Sequence, residues 1–569
     1  KLLEGKYIEG TVTGEAVPKD PKNYRYVGQS LKRDDIRKMV NGESHFIHDI
    51  RMPGMLHARV IHPPSYQDRL ASVDFTEVKA LPGVVKVIRN GSFLAVVAER
   101  EYQAIKAWSK LKSLAVWEKS PIGILPDQLI DSIKNTSGKP EEVMASPGIA
   151  EVISKSAINH QAEYFRPYQM HASMGPSCAL ALWEENLLTV WTATQGVYPV
   201  RGTLADLFSL DEEKIRCIGV PGSGCYGQNG ADDVSGEAAL IAKELPGRHI
   251  RLQWMREDEH KWEPYGTTMA FQLSAGMDSD GKLSAWDTTV WSDSHSTRPN
   301  GRAASFVSAR HLEKPFEFTK GGFSAGSYRN GIPEYSISAK QLHLYNYSGP
   351  LRVSSLRGLG AYGNTFAMES FLDELIHKAE KDPIDFRIKN LEDPRAKAVL
   401  EKLGDKSGWK SRQKTGSNGF GIAYSRYKNS TSYFAVLAEV EIDKASKSYR
   451  LKKLTGVIDS GLIINPDGLI NQTEGGMIQA ASWSMLEEVN FDQNGIKSVD
   501  WATYPILRMI DVPELEVHLI DRPDTPPMGA GEAAMGPVSA AIANAIFDAT
   551  GSRIRDLPLK AQKIDWGKV

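Results

Sequence analysis

Three glycine-rich segments, far apart in the chain, each stand just ahead of a helical stretch. Residues 220–230, with Gly222, Gly224, Gly227 and Gly230, follow a strand-like run at 215–220 and precede a helix expected from Ser235. Residues 356–361, Leu356-Arg357-Gly358-Leu359-Gly360-Ala361, lead into a helix expected from Phe366, and residues 526–537, with Gly529-Ala530-Gly531-Glu532, lead into an apolar helix over 538–549. Turns of this kind let backbone amides approach a ligand beside a helix start. Set among short β-rich runs, they commit the chain to mixed α/β layers.

At 569 residues the chain is long enough for several cores, roughly three or four domains. Its 68 Lys plus Arg nearly cancel its 70 Asp plus Glu, with no long block of one sign, which removes the case for nucleic acid or an anionic membrane as partner. Its most apolar runs, such as Phe93–Ala98, have strand length and are too short to span a bilayer. Cys178, Cys217 and Cys225 are too few and too scattered for a disulfide framework. Nor can they hold an iron–sulfur cluster alone, since the usual cluster takes four thiolates. Any electron-transfer centre therefore belongs to another chain. The first residue is Lys1 and not Met, consistent with an upstream stretch having been removed, so this end does not report localisation.

The pattern divides into a polar tail (1–25), a compact α/β domain (26–118), a Pro-bearing surface linker (119–155), and two mixed α/β parts (156–395 and 396–569). In the first domain, strands are expected at 56–60, 84–88 and 93–98, with a helix from Glu101. Farther on, strands are expected at 178–183, 188–192, 250–254, 433–442 and 448–457, and helices at 200–208, 235–243, 366–380, 471–486 and 539–548. The fold class is α+β.

Residue by residue, each candidate has a plain alternative. The spacing of the 220–230 loop fits neither the dinucleotide fingerprint nor the phosphate loop, and glycine turns are often only turns. Glu532, among small apolar residues with few obvious partners, suits a general base of raised pKa, or else serves helix-start electrostatics. Arg357 can reach a phosphate or heterocycle with its planar fork, or simply pair with a surface carboxylate. Gln195, at a strand end before Gly196, can orient a ligand, or mark a turn. His171 has no second ligand at metal spacing and reads as a hydrogen-bonded structural histidine, and Asp232-Asp233 read as helix caps.

Taken in order along the chain, these segments resemble the molybdopterin-binding large subunit of the xanthine dehydrogenase/aldehyde oxidase family. The likeness begins at Tyr26-Val27-Gly28-Gln29 and His48-Asp49-Ile50-Arg51-Met52-Pro53-Gly54, which look like that family's small hammerhead domain. It continues through His171-Ala172-Ser173-Met174-Gly175-Pro176, Thr194-Gln195-Gly196, the 222–227 loop, Leu356-Arg357-Gly358 and Asp373-Glu374-Leu375. It ends with Asp459-Ser460-Gly461, Gln472-Thr473-Glu474-Gly475 and Gly529 to Ala533, covering about 26–560. The variant at 222–227 looks like the branch containing isoquinoline oxidoreductase and nicotinate dehydrogenase large subunits.

The resemblance implies a small N-terminal hammerhead-type domain followed by a large two-part molybdopterin-binding region, and hydroxylation of an electron-poor carbon of an N-heteroaromatic compound or aldehyde with water as the oxygen source. It implies Glu532 as the base and Gln195, Gly224, Cys225, Tyr226, Arg357, Gln472 and Gly531 as cofactor contacts, with no metal ligand from side chains. Asn229, where xanthine-specific members place a substrate-binding glutamate, and Leu359 would face substrate. The cofactor implied is molybdenum–molybdopterin in its cytosine dinucleotide form, with [2Fe–2S] clusters on a small partner subunit and a cytochrome c as acceptor. One departure stands out: the family's Gly-Gln-Gly segment occurs nowhere in these residues. A further polypeptide or N-terminal fragment is therefore expected to complete the cofactor site, and the branch resemblance favours the periplasm. The competing readings are a non-catalytic scaffold that keeps the fold and, more distantly, a nicotinamide or flavin dehydrogenase.

Overall fold

The computed structural model describes residues 10–320, 324–567 and 569 of the chain; residues 1–9 of the expected tail lie outside the described residues. Three sheets carry the architecture. The first has seven strands in the spatial order Ile215–Gly219, Leu187–Thr192, Cys178–Glu184, Ile250–Gln253, Leu56–Val60, Phe93–Ala98 and Val84–Asn90. Phe93–Ala98 is buried on both faces, which is why it reads as an unbroken apolar run. Gly91, at φ +63°, makes the tight turn that pairs Asn90 with Phe93.

The small N-terminal α/β module is present, yet its sheet does not stop at residue 118. Leu56–Val60 pairs in parallel with Ile250–Gln253, Leu56 opposite Ile250, so three early strands complete a sheet built mostly by residues 178–253. Helix Glu101–Leu114 covers one face through Ala107, Trp108 and Leu111. Helices Val197–Phe208 and Ala231–Lys243 cover the other.

The second sheet runs Glu141–Met144, Ala339–Asn346, Leu283–Ser292, Met269–Met277, Ile158–Arg166. Its first strand corrects the reading of 119–155 as a surface linker. That segment holds helices Leu129–Lys134 and Ile149–Lys155 as well as the edge strand, and it buries Leu129 and Ile133. The polar composition of Glu141–Met144 reflects an edge position with one side in solvent, not absence of structure.

The third sheet, Asn418–Arg426, Tyr433–Asp443, Ser448–Asp459 and Glu514–Ile520, packs beneath helix Met535–Thr550. Gly421 permits the close approach, since a Cβ there would lie 2.1 Å from the Ala541 carbonyl oxygen. The same core cluster takes in helix Gly360–Lys378 and strand Met269–Met277, and helix Pro394–Lys406 spans the expected boundary at 395. The two parts thus share one core. Inside it Glu369 is fully engaged, by Tyr335 Oη (2.6 Å), Arg387 Nε (3.0 Å) and the Tyr424 amide (2.9 Å). No helix among the described residues is long and apolar enough to cross a membrane.

Candidate active site

Four helices begin at one cleft. Gln195 lies just ahead of helix Val197–Phe208, Tyr226 and Gly227 ahead of Ala231–Lys243, Arg357 and Leu359 ahead of Gly360–Lys378, and Glu532 ahead of Met535–Thr550. With Gln472 from helix Pro466–Met485, these residues line a cavity of about 700 Å³. Loops before helix starts leave amide donors and the positive end of the peptide dipoles facing the space, a setting that favours an anionic or acceptor-rich ligand.

The loops are laced to one another by backbone contacts that only short residues permit. Gly227, at φ +136°, forms an isolated bridge with Leu356, and a Cβ there would sit 1.9 Å from the Ser355 carbonyl oxygen. The next amide, of Gln228, donates to that same oxygen at 2.9 Å. Arg357 then ties the middle loop to the C-terminal one: its Nε donates to Gly531 O at 2.8 Å and its Nη1 to Gln479 Oε1 at 3.1 Å. Gln472 Nε2 donates to the same Gly531 carbonyl at 3.0 Å. Burial pulls the Arg357 guanidinium below its usual range, while Glu532 works against that.

Glu532 is not short of partners, which corrects the sequence expectation. Its Oε1 accepts from the Gly358 amide at 2.9 Å and its Oε2 from the Tyr427 hydroxyl. Its backbone carbonyl accepts from Met535 N at 3.2 Å, so the plain helix-start role is also filled, by the main chain and not by the carboxylate. Gln195 Oε1 accepts from Arg298 Nη2 at 2.8 Å. Since arginine can only donate, this bond fixes the amide's orientation, and no group among the described residues takes its NH2.

Other expected residues fall elsewhere. Asn229 is buried and turned inward, its Nδ2 on Ser173 Oγ (2.9 Å) and Gly224 O (3.2 Å) and its Oδ1 on the Ala231 amide (3.0 Å), so it braces the loop and does not line the cavity. Gly224, at φ +113°, and Cys225, whose thiol donates to Gly227 O at 2.9 Å, shape the turn that brings Tyr226 and Gly227 to the cavity wall. Leu359 lines the cavity at φ +52°, a conformation held by its carbonyl's bond to Arg166 Nη1 at 3.1 Å. Asp232 and Asp233 make no capping bond. Asp232, pushed up to about 6 by burial, accepts from Thr194 Oγ1 at 2.5 Å, and Asp233 meets the Val307 amide (2.9 Å) and Arg352 (2.8 Å). His171 is buried against Ser355 O at 2.7 Å and Glu263 at 3.4 Å.

Sequence reasoning missed Arg298, Ser296 and Tyr427. The first two line the cavity from an irregular segment after strand Leu283–Ser292, and Tyr427 reaches Glu532 from a turn after Asn418–Arg426. None sits in a repeated or glycine-marked pattern; only the run of Arg426, Tyr427 and Lys428 hints at anything.

A ring ligand rich in acceptor atoms fits this donor set. Two models of a molybdopterin cofactor-binding domain match residues 135–329 and 373–513, together more than half of the chain. A nicotinate dehydrogenase subunit of Pseudomonas putida is 35% identical over 99% of the chain, and the chain spans 48% of that protein, about half its length. The beta chain of isoquinoline 1-oxidoreductase from Brevundimonas diminuta is 26% identical over 97% of the chain and 70% of the relative. The solved quinoline 2-oxidoreductase of Pseudomonas putida 86 superposes with a TM-score of 0.78 at 16% identity, covering 95% of this chain and 98% of that one. The fold, the two matched domains and these relatives agree: the chain belongs to the molybdopterin-binding large subunits of the xanthine dehydrogenase/aldehyde oxidase family, on their isoquinoline oxidoreductase-like branch.

Proposed function

We propose that this chain forms the molybdopterin-binding body of a molybdenum hydroxylase, which oxidises an electron-poor carbon of an N-heteroaromatic compound or aldehyde with oxygen taken from water. The observation that carries this reading is the meeting of Glu532, Arg357, Gln472 and the 222–227 loop, drawn from four distant segments, around one cavity of about 700 Å³. The relatives named for nicotinate and isoquinoline support the substrate class.

In this reading the Gln195 amide NH2, Arg357, Gln472, Gly531 and the backbone of Gly224, Cys225 and Tyr226 hold the cofactor, and Leu359 forms part of the substrate wall. When bound, the molybdenum cofactor supplies the two-electron redox chemistry and the site of oxygen delivery. Glu532 takes up the proton released as the water-derived oxygen passes to the substrate carbon. Its two hydrogen bonds leave lone pairs free for that proton, because a carboxylate offers about four acceptor positions. Arg357, anchored on the Gly531 carbonyl, fixes the loop that presents the base.

The cofactor is proposed to carry a cytosine dinucleotide tail, and electrons to leave through a small [2Fe–2S] subunit toward a cytochrome c. Sequence outside these 569 residues, on this or another polypeptide, is proposed to supply the Gly-Gln-Gly segment that they lack. Metal analysis of the purified complex, with release of the pterin's nucleotide, tests the proposal. Molybdenum near one per complex with a cytidine nucleotide is expected, together with turnover in a screen of N-heterocycles and aldehydes. Zinc, or no metal, would defeat it.

A further inference from the structure

We propose that Tyr427 is a positioning residue for Glu532, fixing the direction of its carboxylate with Arg329 as the backing group. The inference rests on the base role given to Glu532 above. Arg329 Nη1 donates to the Tyr427 hydroxyl oxygen at 2.8 Å, and that hydroxyl also contacts Glu532 Oε2. A guanidinium has no acceptor, so the phenol must accept from Arg329 and turn its own proton toward Glu532. The chain of donation runs one way, from Arg329 through Tyr427 to the carboxylate. With the Gly358 amide on Oε1 at 2.9 Å, both oxygens are held and the carboxylate plane cannot swing.

The turn that carries Tyr427 is built at a cost. Lys428 and Asn429 have φ of +58° and +54°, and Asn330, which grips them, has φ of +60°. Such a conformation is unfavourable for a non-glycine residue unless its surroundings hold it. Here the surroundings do: Asn330 Oδ1 accepts from the Lys428 amide at 2.9 Å, its Nδ2 donates to Arg426 O at 2.8 Å, and Asn429 Nδ2 donates to Ile332 O at 2.9 Å. The same 329–332 segment that clamps the turn also delivers Arg329, so the tyrosine and its backing group are set by one contact.

The charged and titratable groups around the pair are Arg357 and Tyr226 on the cleft side, Arg329 behind, and Lys428, whose Nζ lies 5.6 Å from the Tyr427 ring. Burial, then the neighbouring carboxylate, pushes the Tyr427 phenol upward, so it stays a donor across the pH range in which an enzyme works.

In the assembled, molybdenum-loaded complex, Tyr427→Phe keeps the ring and removes only the donor. It should lower kcat about ten- to a hundredfold and leave KM within about twofold, because the carboxylate keeps its place but loses the donor that fixes its direction. A second readout does not depend on turnover. The infrared carboxylate band that vanishes in Glu532→Gln should change frequency in Tyr427→Phe relative to the unsubstituted complex, because one of its oxygens has lost a donor. Arg329→Met, which spares the tyrosine, should move it less in the same direction. A band unmoved in both variants would overturn the positioning role. Full activity in Glu532→Gln, or a complex without molybdenum, would strike the proposed function instead, and the infrared comparison would still decide on Tyr427.

Discussion

Two tyrosine–carboxylate pairs lie three residues apart on the same stretch of chain, and they serve opposite ends. Tyr427 donates to Glu532 at the wall of the 700 Å³ cleft. Tyr424 donates to Glu334 at 2.8 Å, in a niche shared with Arg426, Asp393 and Lys340. Burial pushes Glu334 up to about 7, whereas Glu532 has two donors and an open space beside it. The chemistry of the pair is the same in both places. What differs is access: Glu532 sits where four helix starts and Arg357 face a cavity, and Glu334 where packing leaves it only its neighbours. A tyrosine beside a carboxylate is therefore no sign of a base until the space next to it is known.

That contrast can be broken at either end. The largest effect should come from Glu532→Gln, which keeps the volume and removes the base: kcat should fall about 10²- to 10⁴-fold while molybdenum content stays unchanged. Near-normal rates would leave Glu532 no more special than Glu334. A smaller effect is expected from Gly358→Ala. Gly358 has φ of +87°, so a side chain there costs about 1 kcal/mol and shifts the amide that donates to Glu532. A three- to tenfold loss in kcat, roughly in line with that cost, should follow in steady-state assays.

The smallest effect on catalysis is expected from Glu334→Gln, with kcat within about twofold. Its signature should be in stability. Because the folded-state value of about 7 lies above the unfolded one, the protonated carboxyl's contribution is complete below about pH 4.3 and is lost as pH rises through 7. The loss amounts to at most about 4 kcal/mol. Melting curves from pH 5 to pH 8 should therefore show the native chain losing about 2 °C relative to the Gln variant, because so long a chain unfolds with a large entropy. Parallel curves would remove the burial argument for Glu334.

How much of this was legible in the residues depends on whether local pattern or distant partners decide. Phe93–Ala98 could be read because a continuous apolar run bounded by turns has one good solution, and Leu56–Val60 because its apolar residues alternate with His57 and Arg59. Helix Ala231–Lys243 was expected four residues late because Asp232 and Asp233 read as caps ahead of a start at Ser235. They are buried and helical because Thr194, Arg352 and Thr192, all remote in sequence, take their polar atoms. The five-stranded sheet passed unnoticed for a related reason: Leu283–Ser292 carries Asp287, Thr288 and Thr289 among its apolar residues and alternates only faintly. In the cleft, Glu532, Arg357 and Gln195 were singled out by their glycine-rich or strand-end settings and Gln472 by the family resemblance alone, and the fold brings all four to one cavity wall. Asn229 was misplaced because the direction in which a tight loop turns its side chains cannot be read from spacing. Tyr427 was invisible, since its partner lies 105 residues away.

Arg357 and Gly358 are consecutive, yet the side chain of one grips the Gly531 carbonyl and the amide of the other the Glu532 carboxylate, so two adjacent residues on one loop hold two adjacent residues on another. In the proposed reading the reach for the ligand and the aim of the base are a single rigid coupling, one peptide link long. Alignment in that reading is a matter of masonry, not of motion: the Glu532 carboxylate is already trued before anything enters, and only a guest that displaces Arg357 would disturb the loop that aims it.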